Sequence, residues 1–445
     1  MITLASTPRS RTRTVATTVA GNFIEFFDWL IFGLYAPILA RHFFPAGDQL
    51  AAVLAVFSAY ATGMFFRPLG GILAGVLADR RGRRVALLLS ITLMGGGSLL
   101  IGLLPGYASI GIAAPILLFL ARAAQGLSAG GEWPAAVSYL MELAPRNRRC
   151  LYGSYFAVSS AAGGLAAAVL GLGLGAFFGS AAMAQWAWRV PFLVGAILSV
   201  VLLLLRRQLA ESEAFARARR TAPRAGLRRL LREHPKAVGL AALFVAGVTI
   251  NTTTWTTVAP ALAQTRLHAD PAVVYAAVSA SIALAMLVQI PFGLLADKIG
   301  VLPMLGASLL GFAVAGPVAL ATMAPGIGRL VLSMGTGLVL MACLTSVMPK
   351  LMAALFPIDL RASGIGLPHG IASSLAGGLT PWLGTYLAGH DRFGWYLGLL
   401  AAAAALAWAA GWIAVRRMPA QFADRATAAA PRGAPLVGTS AGRDG

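Results

Sequence analysis

Twelve stretches of this chain are each long and apolar enough to cross a lipid bilayer. They lie at about 16–40, 52–78, 84–104, 112–141, 150–177, 188–206, 237–262, 272–296, 301–322, 328–355, 362–388 and 392–415. A hydrocarbon core of roughly 30 Å needs about 20 helical residues at 1.5 Å each. Lipid offers no partner to a free backbone N–H or C=O, so a run of this kind must be a helix. Only 11% of the residues are charged, 58% are hydrophobic, and the mean hydropathy is +0.78. A soluble domain carries about 25% charged residues, so most of this surface is built to face lipid. The expected fold class is therefore an all-α membrane protein of twelve transmembrane helices.

The net charge of +20 does not point to nucleic acid, because Lys and Arg sit in short clusters between the apolar runs. With the N-terminus placed inside, 28 of the 35 basic residues fall on the cytoplasmic side and 4 on the outside. That bias predicts cytoplasmic termini in a bacterial inner membrane. The first run is too long, and too interrupted by Glu25 and Asp28, for a cleaved signal peptide, and is expected to be a retained helix. The two cysteines, Cys150 and Cys343, imply neither a disulfide framework nor a metal site.

A strongly basic stretch between the sixth and seventh runs divides the chain. The expected units are a six-helix bundle at 1–206, a cytoplasmic linker at 207–235, a second six-helix bundle at 236–416 and a disordered cytoplasmic tail at 417–445. The halves echo each other. Gly75-Val76-Leu77-Ala78-Asp79-Arg80-Arg81-Gly82 matches Gly293-Leu294-Leu295-Ala296-Asp297-Lys298-Ile299-Gly300 at an offset of 218 residues. Two parallel repeats of this kind predict alternating access around a site near the bilayer midplane.

The segment 75–84 resembles the loop signature of the major facilitator superfamily. More specific features resemble its metabolite:proton symporter family: Gly21-Asn22 with Glu25 and Phe27-Asp28, Arg67-Pro68-Leu69-Gly70-Gly71, Arg122 with Gln125-Gly126, Gly130-Gly131-Glu132, Trp188-Arg189-Val190-Pro191-Phe192, and Gly378-Leu379-Thr380-Pro381. The resemblance spans about residues 15–415. It implies proton-driven uptake of a small metabolite by two pseudo-symmetric six-helix bundles. Relatives in that family carry α-ketoglutarate, citrate, other dicarboxylates, shikimate, or proline and betaine, and these motifs do not separate them.

Charges buried in a membrane are costly, so intramembrane ionisable residues are the functional candidates. Asp28 and Arg122 fall at similar depth near the midplane, and Glu25 and Arg67 at similar depth nearer the cytoplasm. Two acid–base pairs, Asp28 with Arg122 and Glu25 with Arg67, are thus geometrically allowed. A carboxylate beside a mobile guanidinium can take up and release a proton as the partner comes and goes. Asp28, Glu25, Arg122 and Glu132 are accordingly the proton-coupling candidates, against the alternative of fixed structural pairs. Arg67 could grip a substrate carboxylate through its planar fork. Asn251 and Trp255, in the polar run 251–257, and His369 complete the substrate-binding candidates; the competing reading is interhelical hydrogen bonding and packing. Asp79, Gly82 and Arg83 are the gating candidates, with Asp79 placed to accept bonds from the N-terminus of a neighbouring helix.

The expected function is a proton-coupled symporter importing a small organic acid. No Walker sequence supports ATP drive, and no catalytic constellation suggests an enzyme. The coupling ion would be the proton, with no other cofactor, and the partners an anionic small molecule and the lipid bilayer, with a monomer expected. A carrier of zwitterionic osmolytes or amino acids, an exporter of a metabolite or drug, and a ligand-binding membrane sensor remain the alternatives.

Overall fold

A computed structural model describes residues 8–45, 47–81, 83–130, 132–207, 227–357 and 360–416; within its helices, the side chains of 8–20, 74–76, 78–81, 83–84, 86–87, 132, 135–136, 139, 142–143, 205–207, 227–228 and 362 are not described. Each of the twelve runs is helical. We number them α1 (Pro8–Leu34, prolonged by Ala36–Phe43), α2 (Gln49–Arg81), α3 (Arg83–Leu103), α4 (Ala113–Ala129, prolonged by Glu132–Leu143), α5 (Arg149–Ala182) and α6 (Arg189–Arg207) in the first half. The second half holds α7 (Pro235–Thr253, prolonged by Thr254–Val258 and Ala259–Thr265), α8 (Pro271–Ile299), α9 (Val301–Ala321), α10 (Ile327–Ala354), α11 (Arg361–Gly389) and α12 (Phe393–Arg416). The sequence-expected linker is partly ordered as a short helix, Leu227–Glu233. The rest of that linker between 208 and 226, and the tail beyond 416, lie outside the described residues.

Among the described helices, seven are long and apolar enough to cross a bilayer on their own, and the bent pair forming α1 makes an eighth. Its two pieces meet at 66°. Pro37 lies just past the bend, where its missing N–H leaves a carbonyl of the preceding turn without a partner. In α7 a wide turn over Thr254–Val258 precedes Pro260, by the same loss of a donor. The ends of α8 show the ordinary punctuation: the Asp270 side chain accepts from Ala272 N at 2.7 Å, Pro271 opens the helix, and Gly300 closes it at φ +100°.

Within each half, the outer helices pack in equivalent ways: α3 on α6 and α4, α9 on α12 and α10. Between halves the main contacts are α2 with α11 and α5 with α8. Second helix against eleventh and fifth against eighth is the pairing a two-fold repeat demands. The helices approach closely where side chains are smallest. A methyl added at Gly126 would overlap the Gly63 carbonyl oxygen, and one at Gly130 the Arg67 carbonyl oxygen. The backbones of α2 and α4 therefore touch, as small residues in membrane helices allow. The opposite faces carry bare apolar groups such as Phe177, Leu287, Leu332 and Trp395, suited to lipid.

Candidate functional site

A cavity of about 250 Å³ lies between the halves. The first half lines it with Glu25, Phe26 and Trp29 of α1, Tyr60, Met64 and Arg67 of α2, Trp133 of α4, and Phe156 and Ser160 of α5. The second half adds Thr252 and Thr256 of α7, Gln289 of α8, Met341 and Thr345 of α10, and His369 and Ser373 of α11. The wide turn of α7 falls where Thr256 enters this wall. Irregular backbone next to a cavity is where a membrane helix tolerates it.

Of the two acid–base pairs the sequence allowed, one is direct. Arg67 Nη2 donates to Glu25 Oε1 at 2.7 Å, and both side chains face the cavity. The Arg67 guanidinium also lies 4.4 Å from the centre of the Trp29 ring, and its Nε has no hydrogen-bond acceptor. The second pair is indirect. Arg122 Nη1 donates to Gln125 Oε1 at 2.7 Å, and Gln125 Nε2 donates to Asp28 Oδ2 at 3.1 Å and to Ser98 Oγ at 2.9 Å. The Ser98 hydroxyl donates to the same Asp28 oxygen. Gln125 is three residues after Arg122 on the same helix face, so it reaches the guanidinium first. Arg122 lies over the rings of Trp29 and Phe32, at 4.0 and 4.2 Å. Asp28 and Arg122 are almost fully buried and do not line the cavity; Trp29, against which Arg122 lies, does line it.

The remaining candidates separate. His369 does face the cavity, stacked on Trp133 with ring centroids 3.9 Å apart and planes within 10°. Asn251 and Trp255 do not. Asn251 donates to the Gly247 carbonyl at 3.0 Å and reaches Leu400 O at 3.5 Å, which fastens α7 to α12. Trp255 packs onto Gly337 of α10, where any side chain would collide with its ring. The polar run 251–257 is periodic, and the face with Thr252, Thr253, Thr256 and Thr257 turns to the cavity. Asp79, Arg83 and Glu132 have undescribed side chains, and Gly82 lies outside the described residues altogether.

Trp29, Ser98, Gln125, Trp133, Gln289 and Thr345 were not singled out from the sequence. Two carried a signal: Trp29 adjoins Asp28 in the first-helix motif, and Gln125 is the motif neighbour of Arg122. The others are uncharged, and their place at the site depends on which helices meet.

The family description "Sugar (and other) transporter" matches residues 14–240, and "Major Facilitator Superfamily" matches residues 244–441. The chain belongs to the major facilitator superfamily. The alpha-ketoglutarate permease of Escherichia coli K12 is 35% identical over 416 residues, covering 90% of this chain and 94% of that protein. The citrate-proton symporter of Salmonella typhi is 32% identical over 379 residues, 84% of this chain and 86% of the relative. The proline/betaine transporter of Salmonella typhimurium LT2 is 30% identical over 390 residues, 84% and 77% respectively. These relatives are transporters and permeases, not enzymes. Among solved structures, the proton:xylose symporter bound to 6-bromo-6-deoxy-D-glucose superposes with a TM-score of 0.73 at 18% identity, covering 90% of this chain and 95% of that one. That likeness shows the twelve-helix major facilitator fold.

One contact between the halves of this major facilitator is well defined. Asp297, at the end of α8, accepts from the backbone N–H groups of Cys150 at 3.0 Å and Leu151 at 2.9 Å. Those are among the first N–H donors of α5, which have no acceptor within their own helix. A carboxylate there also meets the positive end of the helix dipole. At the other end of the cavity Gln264 Nε2 donates to Leu34 O at 3.2 Å, and Tyr35 meets Tyr275 with ring centroids 5.6 Å apart. Contacts between halves thus flank the cavity on both sides.

Proposed function

We propose that this chain is a proton-coupled symporter that imports a small organic acid by alternating access, with both termini and the basic linker in the cytoplasm. The observation that supports it is the Glu25–Arg67 pair at the wall of the cavity between the halves. A substrate carboxylate can take the place of Glu25 on the Arg67 fork. Glu25, deprived of its counter-charge in a site of low dielectric, then takes up a proton. The cavity now holds a neutral carboxyl and a guanidinium–carboxylate pair, which has the same net charge as before. The proton and substrate cross together, and release of one favours release of the other.

The two bundles would rock about this site, opening one set of flanking contacts as the other closes. The Asp297 bond to the α5 N-terminus is a latch of the kind such motion must break. We extend the same gating role to Asp79, its partner in the internal repeat, together with Gly82 and Arg83. Arg122, bonded to Gln125, lies against Trp29 and so supports the pair in front of it; Asp28 is the second carboxylate to test for the proton. Glu132 keeps its candidacy from the sequence, at the start of the cavity-lining turn of α4.

A zwitterion carrier is the second reading. It is favoured by an acid and a base side by side among the aromatic faces of Trp29, Tyr60 and Trp133, which would suit a cationic group as well as a carboxylate. Reconstituted vesicles with an acid-outside pH gradient test both. Accumulation of a labelled carboxylate that collapses with a protonophore supports the first reading. Accumulation of proline or betaine, with no carboxylic acid transported, overturns it.

A further inference from the structure

We infer that the substrate carries a single carboxylate on a hydroxyl-bearing body, and that a second carboxylate is rejected by the wall opposite Arg67. The inference rests on the organic-acid reading of the cavity and narrows it.

Among the described lining residues the permanent cation is Arg67, and the imidazole of His369 stands with it. They belong to one end of the site, because α11 passes α2 there: a methyl added at Gly370, next to His369, would lie 3.9 Å from Pro68 Cα, next to Arg67. The wall from α7, α8 and α10 carries no charged side chain among the described lining residues, and the hydroxyl protons of Thr252, Thr256 and Thr345 are committed to the protein. Thr252 donates to the Thr249 carbonyl at 3.2 Å, and Thr256 donates to the Thr252 carbonyl at 3.0 Å. Thr345 donates to the Met341 carbonyl at 3.0 Å or to Gln289 Oε1 at 3.2 Å. Gln289 Nε2 donates to the Ala342 carbonyl at 3.2 Å. What these threonines turn to the cavity is oxygen lone pairs.

Lone pairs welcome a hydroxyl donor and repel an ionised carboxylate, which can only accept. A charge buried without a partner is strongly disfavoured. The rest of the wall is Met64, Met341, Trp29, Trp133 and Phe156, which suits C–H faces. An apolar cavity of about 150 Å³ holds benzene, so about 250 Å³ leaves room for a ring-sized body with its substituents. The proton exchange at Glu25 also balances one carboxylate per proton, and a second ionised group would bring an uncompensated charge into the site.

The test uses the full-length protein in lipid nanodiscs and calorimetric titration at neutral pH with four probes: quinate, gluconate, α-ketoglutarate and citrate. Quinate or gluconate is expected to bind at least tenfold tighter than either polycarboxylate. Thr252→Val, which keeps the shape and removes the oxygen, is expected to weaken the better hydroxy acid by roughly fivefold to tenfold, and Thr252→Ser to restore it. Thr345→Lys supplies a cation on the far wall and is expected to improve α-ketoglutarate binding at least tenfold over wild type. If wild-type protein binds α-ketoglutarate or citrate as tightly as the hydroxy acids, the single-carboxylate inference is overturned and the organic-acid reading stands. If none of the four binds while proline does, both fall.

Discussion

Arg122 reaches Asp28 only through Gln125, whose oxygen accepts from the guanidinium at 2.7 Å and whose nitrogen donates to the carboxylate at 3.1 Å. The amide keeps two buried charges in one network without letting them close into a pair. Gln125→Leu removes both bonds and leaves each charge short of a partner. Unfolding in detergent should show a loss of about 3–5 kcal/mol, the scale of a broken buried charge network. A change below about 1 kcal/mol would mean the network does not hold the fold.

Glu25 faces the cavity and Asp28 does not, so their neutral variants should differ. Glu25→Gln should abolish accumulation driven by a pH gradient while exchange of internal for external substrate persists, since exchange needs no net proton movement. Asp28→Asn should keep gradient-driven accumulation once expression is matched. The reverse outcome would move the proton site to Asp28.

Arg67→Lys keeps the charge and loses the fork. Its ammonium can answer Glu25 or a substrate with single bonds only. Substrate affinity should fall at least tenfold, about 1.4 kcal/mol, with insertion unchanged. Wild-type affinity in this variant would remove Arg67 from carboxylate recognition.

Asp297→Asn weakens two charge-assisted bonds to the α5 N-terminus. Cys150, which forms no disulfide, is buried beside that contact, which makes it a native reporter. Its reaction with a membrane-permeant maleimide should quicken roughly tenfold in the variant, as expected if a hydrogen bond to a charged group contributes about 1.5–3 kcal/mol. Cys343, buried and distant in sequence, serves as the control and should not change.

Asn251→Ala should lower thermal stability and leave the apparent KM for substrate within about twofold, because its amide joins α7 to α12 instead of lining the cavity. Gly337→Ala should be the more damaging change, since the Trp255 ring already fills that space. A selective rise in KM for Asn251→Ala would return it to the binding site.

Helix number was legible in the sequence, because lipid forces every backbone polar group to be paired within its own segment. Runs of about 20 apolar residues have one structural solution there, and all twelve are helices. The scarcity of intramembrane charges likewise marked Glu25, Asp28, Arg67 and Arg122, since so costly a group is kept only for a reason. Depth counted along a helix brought Glu25 level with Arg67. It could not show that Gln125 lies between Arg122 and Asp28, because depth fixes one coordinate and side-chain contact needs three. Nor could it show which face of 251–257 meets the cavity: Asn251 and Trp255 turn to α12 and α10, and Thr252 and Thr256 turn inward. That choice depends on how α7 is rotated, and the rotation is set by packing against Gly337 and Leu400, residues far along the chain. Charge placement along a helix is thus local and readable; the neutral wall of Thr, Gln, Met and Trp acquires its role only when helices from both halves meet around one cavity.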